Sequence, residues 1–165
     1  VIAQHMPEIF TKHLASRLSL DSGLNVAEAS DGESLKRGMI RIAPGGRHAL
    51  ITRCGMDFAT VVNDLPPVNS CRPSADVLFA SAAATARANV LAVVLTGMGR
   101  DGTDGCRQVR EMGGQVVVQD ESTSVVWGMP GSVAKAGLAN RIVTIGEMGA
   151  EIAKHLRVGR TIGQR

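Results

Sequence analysis

The pattern of apolar and polar positions changes period along the chain. Residues 1–4, with the apolar run Val1-Ile2-Ala3, predict the end of a buried strand, and the stripe Ile9, Leu14, Leu18 predicts a helix over about residues 8–18. The middle differs. Runs at 39–43, 48–53 and 58–62 are short, are separated by Gly and Pro, and predict strands with hairpin-like turns. Ser74 stands two residues before Asp76-Val77-Leu78-Phe79, where it can cap a helix reaching to about residue 88. Alternation then resumes, with a continuous apolar strand at 90–95, a helix at 103–112, a strand at 116–118 and a final helix at 146–156. The pattern predicts an α/β fold: a doubly wound, mostly parallel, Rossmann-like sheet with a small antiparallel β insert. Functional groups are expected at the carboxyl ends of its strands.

Composition narrows the classes. A chain of 165 residues without repeat or linker fits one domain on one core. Three Phe, one Trp and no Tyr leave that core aliphatic and provide no stacking platform for single-stranded nucleic acid. The net charge of +3 is diffuse apart from Lys154, Arg157, Arg160 and Arg165, which suits an acidic protein partner better than DNA. Cys54, Cys71 and Cys106 form no C-x-x-C pair and are odd in number, which points to a reducing cytoplasm. No apolar run approaches the ~20 residues of a membrane span, and no signal peptide is read.

Two polar residues occupy strand ends. His5 directly follows the first strand, where a histidine can act as a general base or merely satisfy its own loop. Asp101 follows the 90–95 strand where a helix begins, and reads either as the N-cap of that helix or as the acid that orients His5. His13, His48 and His155 lack such a setting and read as surface residues. The stretch LTGMGRDG also matches G-x-G-x-x-G after a strand, the first half of a dinucleotide fingerprint, with Asp120 eighteen residues past Gly102. Against a nucleotide, Asp101 would set a negative charge where a pyrophosphate needs an electropositive helix end. The glycines can instead bring backbone N–H groups close to a substrate as an oxyanion hole.

The blocks QHMPEIFTKHLASRL, RIAPGGRH, PPVNSCRPSADVLF, VLTGMGRDGTDG and DESTSVVWGMP, in this order, closely resemble the catalytic domain of the bacterial chemotaxis receptor methylesterase family, CheB. The resemblance covers nearly the whole chain and thins after about Ile145. It implies a doubly wound α/β domain that hydrolyses glutamate methyl esters, and deamidates glutamines, on chemoreceptor cytoplasmic domains without metal or cofactor. It also implies His5 as general base, Asp101 as orienting acid and the Met98 backbone N–H as oxyanion donor. The sequence departs from the family at Ser70-Cys71, where Arg-His is common, and at Trp127, where Phe is usual.

The largest departure is the nucleophile. The family's serine lies in a G-A-S-x-G-G turn one βα unit upstream of QHMP, and none of this chain's serines stands in such a turn or in G-x-S-x-G. The expectation is a single catalytic domain over residues 1–165, truncated at its N-terminus and inactive by itself, without the receiver domain that regulates many members. A dinucleotide-binding module and a nonenzymatic interaction domain are the alternatives.

Overall fold

The computed structural model describes residues 1–158. Helix α1 (Glu8–Ser22) follows Pro7 and stops at Gly23, which turns left-handed and bonds its N–H back to Ser19 O. Its apolar stripe is not its buried face, a departure from the sequence expectation: Thr11 and Ala15 are buried while Ile9 is 68% exposed. Thr11 explains the orientation, because its hydroxyl donates to Glu28 Oε1 and accepts the Gly45 N–H. Strand β1 (Asn25–Glu28) pairs in parallel with β3 (Met39–Ile42), and Ala15, Val26 and Ile42 make the core between this sheet and α1.

Residues 39–42 therefore belong to a parallel sheet and not to the antiparallel insert that their sequence suggested. A four-residue apolar strand carries no mark of its partner's direction. The insert itself consists of β2 (Ser34–Leu35), β4 (His48–Cys54) and β5 (Asp57–Asn63), in the order β2-β5-β4. Arg41 ties the two sheets together, with its buried guanidinium on Glu33 at 2.7 Å and on Asn25 Oδ1 at 3.1 Å.

The second half winds around another parallel sheet. Helix α2 (Ala75–Ala86) and a 3-10 turn lead into β6 (Leu91–Val94), α3 (Thr103–Glu111), β7 (Gln115–Gln119), α4 (Met129–Lys135), β8 (Arg141–Val143) and α5 (Ile145–Val158). The strands run β6-β7-β8, and alternate residues serve opposite faces. Ala92, Val94, Val116 and Val118 pack on α2, α3 and α4, whereas Leu91, Val93 and Val117 pack toward Met148 and Ile152 of α5. Burial on both faces is why residues 116–118 read Val-Val-Val. The fold is thus α/β with parallel sheets and a small antiparallel insert. The short elements β1, β2, α4 and β8 escape the pattern reading, since α4 opens with Met-Pro-Gly and β8 has three residues.

Residues 1–4 form no full strand. Ile2 makes a parallel bridge to Ile42, donating its N–H to Arg41 O and accepting the Ala43 N–H. Ala3 packs against the cluster that contains Ala92 and Val94, so this segment lies beside the β6 sheet. Among the described residues β6 pairs only with β7, and Ile2 only with Ile42. Two parallel half-sheets each keep an open edge, where Ile2 and Leu95 are 38% and 42% exposed.

Candidate active site

His5 and Asp101 meet although they are 96 residues apart. His5 leaves the Ile2 segment and Asp101 follows β6, so each stands at the carboxyl end of a parallel strand segment. His5 Nε2 lies 2.7 Å from Asp101 Oδ2, with the ring 29% exposed and the carboxylate 1% exposed. A carboxylate only accepts, so Nε2 is the donor in this bond and Nδ1 is the ring nitrogen turned away from Asp101.

Asp101 is held from four directions. Oδ2 takes the His5 ring and the Ala75 N–H at 2.7 Å, and Oδ1 takes the Ser74 hydroxyl at 2.7 Å and the Asp76 N–H at 3.1 Å. The carboxylate thus caps α2, across the site, and not the helix that follows it in sequence. Helix α3 starts instead at Gly102, which turns left-handed and offers no side chain. Its first-turn N–H at Gly105 is taken by Asp76 Oδ1 at 2.7 Å. Each aspartate caps the other's helix. This crossed arrangement needs a close approach of α2 and α3, because a Cβ on Gly105 would sit 2.7 Å from Phe79 Cβ and 2.9 Å from Asp76 O.

The two buried carboxylates titrate in opposite senses. Burial pushes Asp101 up, but the bonds from His5, Ser74, Ala75 and Asp76 outweigh it and bring its pKa from 3.8 down to about 2. Burial raises Asp76, and the Gly105 bond only partly offsets that. A lowered folded-state pKa gives stability that is present above the unfolded value near 4 and is lost as pH falls toward 2, here roughly 2–3 kcal/mol. Asp76 works the other way, stabilising at low pH and losing that contribution as pH rises through its folded-state value. In urea unfolding, Asp101→Asn should therefore flatten the loss of stability between pH 4 and pH 2, whereas Asp76→Asn should remove a loss that sets in as pH rises above about 4. Equal slopes in both variants would contradict these assignments.

The sequence expectation for His48 is overturned. Far from lying at the surface, it is 1% exposed: its Nδ1 accepts the Ser74 N–H at 3.3 Å, and its Nε2 donates to Pro66 O at 3.1 Å. Asp76 also escaped notice. A capping signal was legible at Ser74, but nothing in the local sequence marks which distant carboxylate its hydroxyl faces.

Met98 sits on the loop between β6 and α3 and is 81% exposed. Its loop interlocks with the Trp127 segment through a parallel bridge between Gly97 and Trp127, and the N–H groups of Gly128 and Met129 bond to Gly97 O. Gly128 has no room for a side chain, since a Cβ would lie 2.7 Å from Gly97 O and 2.9 Å from Gly99 N. Gly128→Ala should displace the Met98 loop and cost about 1–3 kcal/mol in urea unfolding. An unchanged midpoint would show that the loop yields freely. Trp127 itself packs under Lys135 and donates to Gln119 O, contacts that hold the segment in place.

Cys71 borders the pair, its sulfur within 4.8 Å of the facing His5 and Asp101 donor atoms. These groups include three types of metal-ligating atom, yet both Asp101 oxygens are already committed to donors. Burial and the nearby Asp101 and Asp76 charges raise the Cys71 thiol, which favours its protonated form. Cys106 is buried inside α3, and its thiol is pushed up to about 12. Asp120, the ribose candidate of the nucleotide reading, turns its carboxylate onto the Ser122 and Thr123 hydroxyls of its own loop. Arg160 and Arg165 of the basic cluster lie outside the described residues.

Comparison with known proteins gives this geometry a family. The family model described as CheB methylesterase matches residues 1–152. A protein-glutamate methylesterase/protein-glutamine glutaminase of Trichodesmium erythraeum (strain IMS101) is 50% identical over 94% of this chain and 44% of its own length. One of the same description from Maricaulis maris (strain MCS10) is 49% identical over 96% of this chain and 40% of its own. The chain thus spans less than half the length of these curated relatives. The crystal structure of the Thermotoga maritima CheB methylesterase catalytic domain superposes with a TM-score of 0.89 at 38% identity, covering 92% of this chain and 80% of that one. The chain belongs to the CheB methylesterase family.

Proposed function

We propose that these residues supply the base and the orienting acid of a Ser-His-Asp site that hydrolyses glutamate methyl esters, and deamidates glutamines, on chemoreceptor cytoplasmic domains. The observation that carries the reading is the 2.7 Å bond from His5 Nε2 to a buried Asp101 carboxylate. It fixes the imidazole tautomer and leaves Nδ1 as the nitrogen that accepts a proton. The serine hydroxyl attacks the ester carbonyl as its proton passes to Nδ1, and the Met98 N–H stabilises the oxyanion. Collapse of the tetrahedral intermediate breaks the C–O bond, and Nδ1–H protonates the departing methoxide to methanol. Water, deprotonated by the same nitrogen, then attacks the acyl-enzyme, and Nδ1–H returns that proton to the departing serine oxygen as the glutamate is released. His5 accounts for every proton transfer, so the sequence calls on no metal or cofactor.

The serine comes from outside these residues, on a strand laid between the open edges at Ile2 and β6. Such a strand, parallel to both, ends between His5 and Asp101, where a nucleophile is needed. Residues 1–165 then belong to one catalytic domain, and a receiver domain is the expected regulator. The substrate is a cytoplasmic receptor domain, which places the enzyme in the cytoplasm; no described helix is long and apolar enough to cross a membrane. The nucleotide reading loses support, because Asp101 places a buried negative charge behind the glycine loop and Asp120 is engaged within its own loop.

The test joins the family's strand, serine turn and helix ahead of Val1 and follows a methylated chemoreceptor fragment by mass spectrometry. Loss of methyl groups, abolished when that serine becomes alanine, is expected. Demethylation that persists without the serine would overturn the reading.

A further inference from the structure

We infer that Ser74, itself held by His48, is a positioning residue that locks the Asp101 carboxylate in the orientation the His5 ring requires. The inference rests on the reading of His5 and Asp101 as base and acid. Ser74 is 1% exposed and makes three hydrogen bonds at once through its hydroxyl and its backbone N–H. Its hydroxyl donates to Asp101 Oδ1 at 2.7 Å, Ser74 Oγ accepts the Val77 N–H at 3.4 Å, and the Ser74 backbone N–H donates to His48 Nδ1 at 3.3 Å.

The distances separate the two roles of the side chain. The bond that would make Ser74 a helix cap is at the long limit, whereas the bond to the carboxylate is short and charge-assisted. A hydroxyl has one proton, and here Asp101 receives it. Without that donor Oδ1 keeps only the Asp76 N–H at 3.1 Å, while Oδ2 keeps two bonds at 2.7 Å. The carboxylate is then held on its Oδ1 side by one longer bond alone, and its rotation about Cβ–Cγ, which sets the face it offers His5, is less restrained.

His48 extends the hold into the antiparallel insert. As the first residue of β4 it reaches the site from a sheet that contributes no other group to the pair. Its Nδ1 faces a donor and its Nε2 faces the Pro66 carbonyl, so the ring is fixed in one tautomer, the proton being on Nε2. The run Pro66, His48, Ser74, Asp101, His5, buried at its three middle members, thus carries the insert's position to the base. This gives the insert a part in the chemistry that its distance in sequence conceals.

The experiment compares Ser74→Gly with Ser74→Thr. Glycine is nearly as good as serine at an N-cap, so α2 should persist while the donor to Asp101 is lost. In the serine-restored enzyme Ser74→Gly should lower kcat ~10- to 100-fold with KM little changed, the worth of one charge-assisted hydrogen bond. Ser74→Thr, which keeps the hydroxyl, should recover much of it. In the ¹⁵N-labelled 165-residue chain, the His5 Nε2–H signal should survive in Ser74→Thr and broaden or vanish in Ser74→Gly. Wild-type kcat and an intact Nε2–H signal in Ser74→Gly would overturn the proposal and leave Ser74 a helix cap.

A second pair guards against misfolding of the first. His48→Asn places an acceptor near the Nδ1 position and should retain more kcat than His48→Gln, whose amide reaches toward Pro66 instead. Equal losses in the two would overturn the part assigned to His48. A serine-restored wild type without turnover refutes the esterase reading itself, and the Nε2–H comparison then still decides what Ser74 does to Asp101.

Discussion

In an enzyme carrying the family's serine turn ahead of Val1, His5→Ala is expected to lower kcat/KM for ester hydrolysis at least ~10⁴-fold. A general base contributes about 10²- to 10⁴-fold by itself, and more when the nucleophile depends on it as part of one unit. The fold should survive, because the His5 ring is partly exposed and its removal opens no closed cavity. Urea unfolding alongside methanol release separates loss of chemistry from loss of structure. No other described histidine can step in. His13 is exposed on α1, His48 has both ring nitrogens committed, and His155 faces Glu151 on α5. A folded His5→Ala enzyme with normal kcat would therefore contradict the assignment outright.

Asp101→Asn should be the other large effect, with losses of ~10²- to 10⁴-fold in kcat. An amide offers one acceptor oxygen where the carboxylate offers two, and Asp101 receives donors on both. If the amide nitrogen turns to His5 it donates to Nε2, the ring proton moves to Nδ1, and the base is blocked. If it turns to Ser74 and Asp76, it meets a hydroxyl and an N–H on the side of α2's N-terminus. Stability should fall as well, by roughly 1–3 kcal/mol for a buried donor left without a partner. Full activity in Asp101→Asn with the fold intact would show that the carboxylate only caps α2.

The sequence carried the ends of this site better than its middle. The strand-end positions of His5 and Asp101, which the fold brings together, were legible because a polar residue just after an apolar run marks the carboxyl end of a strand. Asp101 was legible as a cap too, but of the wrong helix. The capping rule reads along the chain, whereas the carboxylate reaches across to Ala75 and Asp76. The burial of His48 is hidden from the sequence for the same reason. Its neighbours in sequence are those of an ordinary strand start, and only the packing of β4 on α2 buries it. Residues 39–42 went to the wrong sheet because a short apolar strand does not encode its partner. The strand at 116–118, in contrast, was legible from its apolar run alone, and its residues are buried on both faces.

The central claim is that these residues hold the base and its orienting acid but not the nucleophile. It is tested most directly by methanol release from a methylated chemoreceptor cytoplasmic fragment, measured for the 165-residue chain alone and for the same chain joined to the family's serine-bearing strand and helix. The account predicts release at the buffer rate from the chain alone and sustained, serine-dependent turnover from the joined form. Turnover by the chain alone, abolished by serine reagents, would contradict it, as would a folded joined form that releases no methanol.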